Sequence, residues 1–134
     1  MNIAVDTNVL AWAILMDDPE QGRTARKLLM DATTIAIPLP CLCLCELVWI
    51  LRRGAKLAIA DVASALRALL ETGNVTMNRP AVEAGLGLLE AGGDFADGVI
   101  AHEGRCLGGE TFVSFERAAV ALLSRQGEAA KLLS

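Results

Sequence analysis

Asp6 closes the short apolar run Ile3-Ala4-Val5 and is followed by Thr7 and Asn8. A run this short and β-branched suits a buried, central strand of a parallel sheet covered on both faces. Ligand sites in open parallel sheets lie beyond the carboxyl ends of the strands, which is where Asp6 stands. A plain capping or turn role is the competing reading, with Thr7 or Asn8 free to cap the helix that follows. Glu46 sits between Cys45 and Leu47, with Trp49 close behind. A carboxylate in so apolar a stretch is costly unless it is paired, neutral or metal-bound, or unless it occupies a solvent-facing stripe. Asp94 and Asp97 come directly after Gly92-Gly93, the first placed as a helix cap and the second in the first turn. Capping alone explains acids there too. Glu116 follows Ser114 in a repeat of the opening pattern: apolar strand, hydroxyl, acid, helix.

Several carboxylates brought together with little basic charge between them cannot all ionise without a counter-charge. Mg²⁺ or Mn²⁺ is the natural one, because hard cations prefer oxygen ligands. A cation held this way activates water and orients a phosphodiester, so metal-assisted phosphodiester hydrolysis is the reaction class inferred. No phosphate-binding glycine loop, nucleophile elbow or Ser/His/Asp arrangement competes with it. His102 reads as a surface or satisfied side chain.

The elements that must position these acids alternate along the chain. A short helix is expected over 8–14 and carries Trp12; a second starts at Pro19 after Asp17-Asp18. A strand is expected over 33–37, ended by Pro38, and Pro40 opens a strongly apolar helix reaching about Arg52. Arg52-Arg53-Gly54-Ala55-Lys56 reads first as ordinary C-terminal capping and second as a handhold for phosphates. A helix over 58–71, a strand over 74–77 and a helix from Asn78-Arg79-Pro80 to Gly92-Gly93 come next. Beyond the Asp94 helix lie a strand over 110–113, a helix, a turn at Gln126-Gly127-Glu128, and an edge strand or tail over 129–133. Strands alternating with helices imply right-handed crossovers and a doubly covered parallel sheet that gathers acids from distant parts of the chain.

The chain has 134 residues, which suits a single domain over 1–134 with a full core. Hydrophobic residues make up 54%, so a membrane span has to be considered, but Pro38, Pro40 and Glu46 break the longest apolar stretch. The N-terminal segment lacks a basic lead and contains Asp6, unlike a secretory signal. Reduced thiols in a cytoplasm are therefore expected for Cys41, Cys43, Cys45 and Cys106. Cys41 and Cys45 share a helix face, and small buried apolar side chains describe this group better than a zinc site does. A net charge of −4 argues against a nonspecific nucleic-acid binder with a broad basic face. It does not exclude an enzyme acting on nucleic acid, since bound cations reverse the field of an acidic site.

Four segments taken together resemble the PIN-domain ribonucleases, and within them the VapC-like toxins of bacterial toxin–antitoxin pairs. They are Val5-Asp6-Thr7-Asn8-Val9-Leu10, Cys45-Glu46-Leu47-Val48-Trp49, Asp94-Phe95-Ala96-Asp97 with Gly98-Val99-Ile100-Ala101, and Phe112-Val113-Ser114-Phe115-Glu116-Arg117. The resemblance runs from about residue 3 to about residue 123. It implies a three-layer α/β/α PIN-like fold whose central parallel sheet is covered by helices on both faces. By the same resemblance Asp6, Glu46 and Asp97 match the acidic metal ligands, Asp94 is an accessory acid, and Asn8 and Ser114 are supporting polar residues. Glu116 departs from the pattern, since the family commonly has Asp there. Its longer reach leaves three readings open: a ligand in altered geometry, a ligand through water, or no ligand.

The resemblance further implies a cytoplasmic, Mg²⁺- or Mn²⁺-dependent endoribonuclease with a restricted RNA target. It implies an antitoxin protein that inserts an apolar helix and a basic side chain into the acidic groove, and a homodimer. A catalytically weak or degenerate PIN-like binding module is the alternative, kept open by Glu116. A phosphatase with Asp6 as nucleophile fits less well, because Asn8 stands where such enzymes carry a second Asp and no suitably placed lysine follows a later strand.

Overall fold

Short β-branched runs separated by longer stretches with helical spacing fold into parallel strands joined by helices, since a parallel pair needs a long crossover. The computed structural model describes residues 1–37 and 40–133, the side chains of Pro40 and Cys41 excepted. Pro38, expected to end a strand, and the shared face of Cys41 and Cys45 lie outside the described residues. The chain divides into two compact units, Met1–Asn78 and Arg79–Ser134.

In the first unit, β1 (Asn2–Ala4), β2 (Thr34–Ala36) and β3 (Val75–Thr76) form a parallel sheet in that order. The helices α1 (Thr7–Leu15), α2 (Pro19–Asp31), α3 (Pro40–Trp49) and α4 (Ile59–Glu71) alternate with them. Within this sheet β2 is the middle strand, where the sequence pointed to the first strand. The inward positions agree with it: Ile35 of β2 is 2% exposed, whereas its register partner Ile3 in β1 is only partly buried. Asp18 caps α2 by accepting from the amides of Glu20 and Gln21, and Pro19 takes the first helical position as expected.

The helix expected to continue to Arg52 changes character at its end. Residues Ile50–Gly54 form a π-turn, in which the Ala55 amide donates to the Ile50 carbonyl at 2.9 Å. Gly54 is therefore not the left-handed cap that its position suggested. That backbone conformation falls on Lys56, with φ of 56°, a region that non-glycine residues enter infrequently.

The second unit contains α5 (Arg79–Glu90), α6 (Phe95–Cys106), β4 (Phe112–Ser114), α7 (Arg117–Arg125) and β5 (Ala130–Leu132). The last segment is a strand rather than a tail, pairing in parallel with β4. Gly92, with φ of 98°, breaks the chain between α5 and α6 as its glycine pair suggested. The two helices then pack closely through small residues. A Cβ on Gly98 would lie 2.5 Å from the Ala84 carbonyl oxygen, and one on Gly85 would lie 2.7 Å from the Phe95 ring. Leu88, Ala101 and Leu123 form a core here, packed by Phe112, Leu122 and Ala130. Among the described residues no helix is long and apolar enough to cross a membrane.

Candidate active site

Asp6 leaves β1 in extended conformation and becomes the N-cap of α1, its carboxylate accepting from the Thr7 amide at 2.7 Å. The cap is thus Asp6 itself, not Thr7 or Asn8. Its side chain remains exposed at the strand's carboxyl end, as does Asn8 in the first turn. Thr7 turns inward instead. It is the one buried polar side chain of the described core, and its hydroxyl donates to the Cys43 carbonyl oxygen at 3.4 Å.

That contact ties the start of α1 to α3, which carries Glu46. Helical periodicity sends Leu44, Leu47 and Leu51 fully inward, so Leu42, Glu46 and Trp49 face out. Glu46 is accordingly solvent-exposed; its apolar neighbours flank it in sequence, not in space, and the desolvation argument does not apply to it. Both carboxylates still act on Cys43. Burial pushes that thiol's pKa up, the Thr7 hydroxyl lowers it, and the charges of Asp6 and Glu46 raise it again.

In the second unit Asp94 caps α6, accepting from the Ala96 amide at 3.1 Å, and Asp97 follows in the first turn. Asp97 is half-buried. Burial raises its carboxyl above the ordinary aspartate value, and the charges of Asp94 and Glu116 raise it further. Glu116 occupies the N-cap position of α7 but makes no side-chain cap bond. The turn is held by Ser114, whose hydroxyl oxygen accepts from the Glu116 amide at 2.9 Å. Arg105, at the far end of α6, is engaged with Glu128 at 2.8 Å. His102 lies against Cys106, one turn along α6 and away from Asp97.

The sequence pattern of the PIN domain matches residues 3–123, a stretch that runs through both units. The chain belongs to the PIN domain family. PIN domains are in general metal-dependent nucleases acting on RNA or DNA, and the parallel strands with seven α-helices among the described residues agree with the three-layer α/β/α class of that fold. No curated protein and no solved structure gives a significant match to this PIN domain.

The donor chemistry fits a hard divalent cation, since every acid singled out offers carboxylate oxygens at a helix start or on an open helix face. Among the described residues, however, no three His, Cys, Asp or Glu side chains stand close enough together to hold a metal. Thr7 is the residue that sequence reasoning misplaced. Its signal was a hydroxyl immediately after the acid and ahead of an apolar helix.

Proposed function

We propose that this PIN domain is a divalent-metal-dependent endoribonuclease and the toxin of a toxin–antitoxin pair, built as one domain over 1–134. Asp6, Glu46, Asp97 and Glu116 are its metal-ligating and catalytic carboxylates, with Asn8, Asp94 and Ser114 in accessory roles. The observation that carries the reading is the family match over residues 3–123, and the charges of Asp94 and Glu116 bear on the half-buried Asp97. Like charges kept together on a family match to nucleases call for a cation. Mg²⁺ or Mn²⁺ bound there supplies charge neutralisation and an activated water for phosphodiester hydrolysis. The chain's own part is to hold the acids: Asp94 caps the start of α6, Ser114 holds the turn before Glu116, and Thr7 ties the start of α1, next to Asp6, to α3.

An open cleft of about 510 Å³ between α1 and α2 supports the antitoxin assignment. Val9, Trp12 and Leu28 give it apolar walls, with Asp18 and Glu20 beside them. An apolar helix carrying a basic side chain is its complement. Exposed apolar side chains such as Leu107 (90%) and Phe115 (75%) are compatible with further cover by partners, including a second copy in a homodimer. Thiols at Cys43 and Cys106 suit a cytoplasmic protein.

The deciding experiment is cleavage of a mixed, structured RNA pool by the purified chain in Mn²⁺, beside EDTA and Asp6→Asn controls. Metal-dependent cleavage that is lost in Asp6→Asn is the expected result. Absence of both cleavage and metal binding replaces this reading with the degenerate binding module.

A further inference from the structure

We propose that Trp49 is a stacking platform for a base of the RNA strand and that Arg53 holds a neighbouring phosphate, an inference that rests on the nuclease reading. Leu42, Glu46 and Trp49 succeed one another at four- and three-residue spacing, so they line one face of α3. Trp49 is 63% exposed on that face and Leu42 58%. Tryptophan is on average a well-buried residue, and an indole left open one turn from a site acid is a surface that something else covers.

The segment after Trp49 is basic. Arg52, Arg53 and Lys56 place three of the chain's 12 Lys and Arg within five residues, in a chain of net charge −4. The π-turn separates their roles. Arg52 is spent on the fold, its guanidinium donating to the Leu57 carbonyl at 2.8 Å and closing the loop. Arg53, four residues after Trp49, is exposed, and Lys56 projects from the left-handed position just beyond it.

The occupant is single-stranded RNA for two reasons. First, the stripe contains Glu46, which the nuclease reading requires to stay open to cation and substrate. A permanent cover by a second copy would close it, so the occupant has to come and go. Second, the exposed π-face of Trp49 is followed four residues later by an exposed cation, the pair that a nucleotide satisfies with its base and its phosphate. Stacking of this kind tolerates any base, and a guanidinium suits a phosphate through its fork of donors. An acidic chain with no broad basic face takes its phosphate contacts where such local cations exist.

The test uses a Trp12→Phe background, which leaves Trp49 as the sole indole, since the chain has two Trp. Its emission is followed during titration with ten-nucleotide oligouridylate and oligoadenylate in EDTA, and cleavage kinetics are measured separately in Mn²⁺. Both oligonucleotides are expected to quench Trp49. Trp49→Ala is expected to raise KM about tenfold or more with kcat nearly unchanged, and Trp49→Phe to restore most of the loss. Arg53→Gln should weaken binding and flatten its salt dependence by about one phosphate contact.

Unchanged emission, or unchanged KM in Trp49→Ala while Asp6→Asn is inactive, overturns the inference and leaves the nuclease standing. A fall in molecular mass on Trp49→Ala makes the stripe a contact between copies and also overturns it. Lack of metal-dependent cleavage by every variant removes the nuclease reading, and this inference with it.

Discussion

The Thr7 hydroxyl lies 3.4 Å from the Cys43 carbonyl oxygen and 3.6 Å from its sulfur, in a buried contact between the start of α1 and α3. Asp6 is the residue before Thr7, and Glu46 is three residues after Cys43. This contact therefore helps to hold in place two elements whose acids lie 40 residues apart in the chain. Thr7→Val keeps the shape and removes the donor. It should cost about 1 kcal/mol in urea unfolding and raise the Mn²⁺ concentration needed for cleavage, with Thr7→Ser restoring part of both. A variant with reduced stability but unaltered metal requirement would separate the contact from the site.

Asp97 carries a sign that can be measured. Its carboxyl is raised above the ordinary value of 3.8 by burial, then by Asp94 and Glu116. Between the unfolded and the folded pKa the folded chain holds more protons, so the group's contribution to stability falls as pH rises through that window. Below it both states are protonated and the penalty is absent; above the raised value it is complete. In EDTA, Asp97→Asn should match the wild type at the acid end and exceed it in stability at neutral pH, by an amount that solvent screening of a half-buried group keeps small. The same variant should have no cleavage activity in Mn²⁺. Full activity would remove Asp97 from the mechanism.

Glu116 and Ser114 divide the work at the start of α7, and mutation should divide it in the same way. Glu116 makes no cap bond, so Glu116→Gln should leave stability within about 0.5 kcal/mol of wild type. If the acid is a ligand, it should raise the Mn²⁺ requirement several-fold. Ser114→Ala removes the acceptor for the Glu116 amide and should cost about 1 kcal/mol in thermal or urea unfolding. An unchanged metal requirement in Glu116→Gln would return that residue to a purely local role.

The parts legible in the sequence were those governed by local chemistry. Pro19 behind Asp18, the Gly92-Gly93 break and the Asp94 cap all declare themselves within a few residues, and each is where the pattern put it. The hydroxyl of Ser114 ahead of Glu116 was legible too, because a hydroxyl just before a helix start accepts from a nearby amide. The rest depended on which face of a helix turns inward. Glu46 looked desolvated because its sequence neighbours are apolar, yet a helix separates neighbours onto opposite sides. The π-turn after Trp49 was hidden for another reason: Arg52 holds it from outside, through the Leu57 carbonyl, while Gly54 offered a local stop that the backbone does not use. Nothing in the residue types alone distinguishes those two endings.

Metal binding has a reading independent of catalysis. A cation that binds only the folded chain stabilises it by RT ln(1 + [L]/Kd), about 2.7 kcal/mol at one hundred times Kd. Mn²⁺ should therefore raise the melting temperature of the wild type, and Asp6→Asn and Asp97→Asn should each lose most of that gain. Equal shifts in all three proteins would place the bound ion away from these two carboxylates.

Gly98 links the packing of the second unit to its chemistry. It directly follows Asp97, and a methyl group there would meet the Ala84 carbonyl at 2.5 Å and the Gly85 Cα at 2.8 Å. Neither neighbour is a side-chain tip that can swing aside; both belong to the backbone of α5. Gly98→Ala has to move α6 away from α5, and the gain in helix propensity, about 1 kcal/mol, works against that cost. Overpacking of this kind costs about 1–3 kcal/mol or more, so net destabilisation is expected. Since α6 carries Asp97, activity should fall further than stability accounts for at a temperature where the variant is still folded. Gly87 is the control: a Cβ there meets nothing within 4 Å, although it lies on the same pair of helices. Gly87→Ala should therefore stabilise the protein modestly through propensity alone, and urea unfolding of the two variants side by side distinguishes a packing constraint from a general demand for glycine.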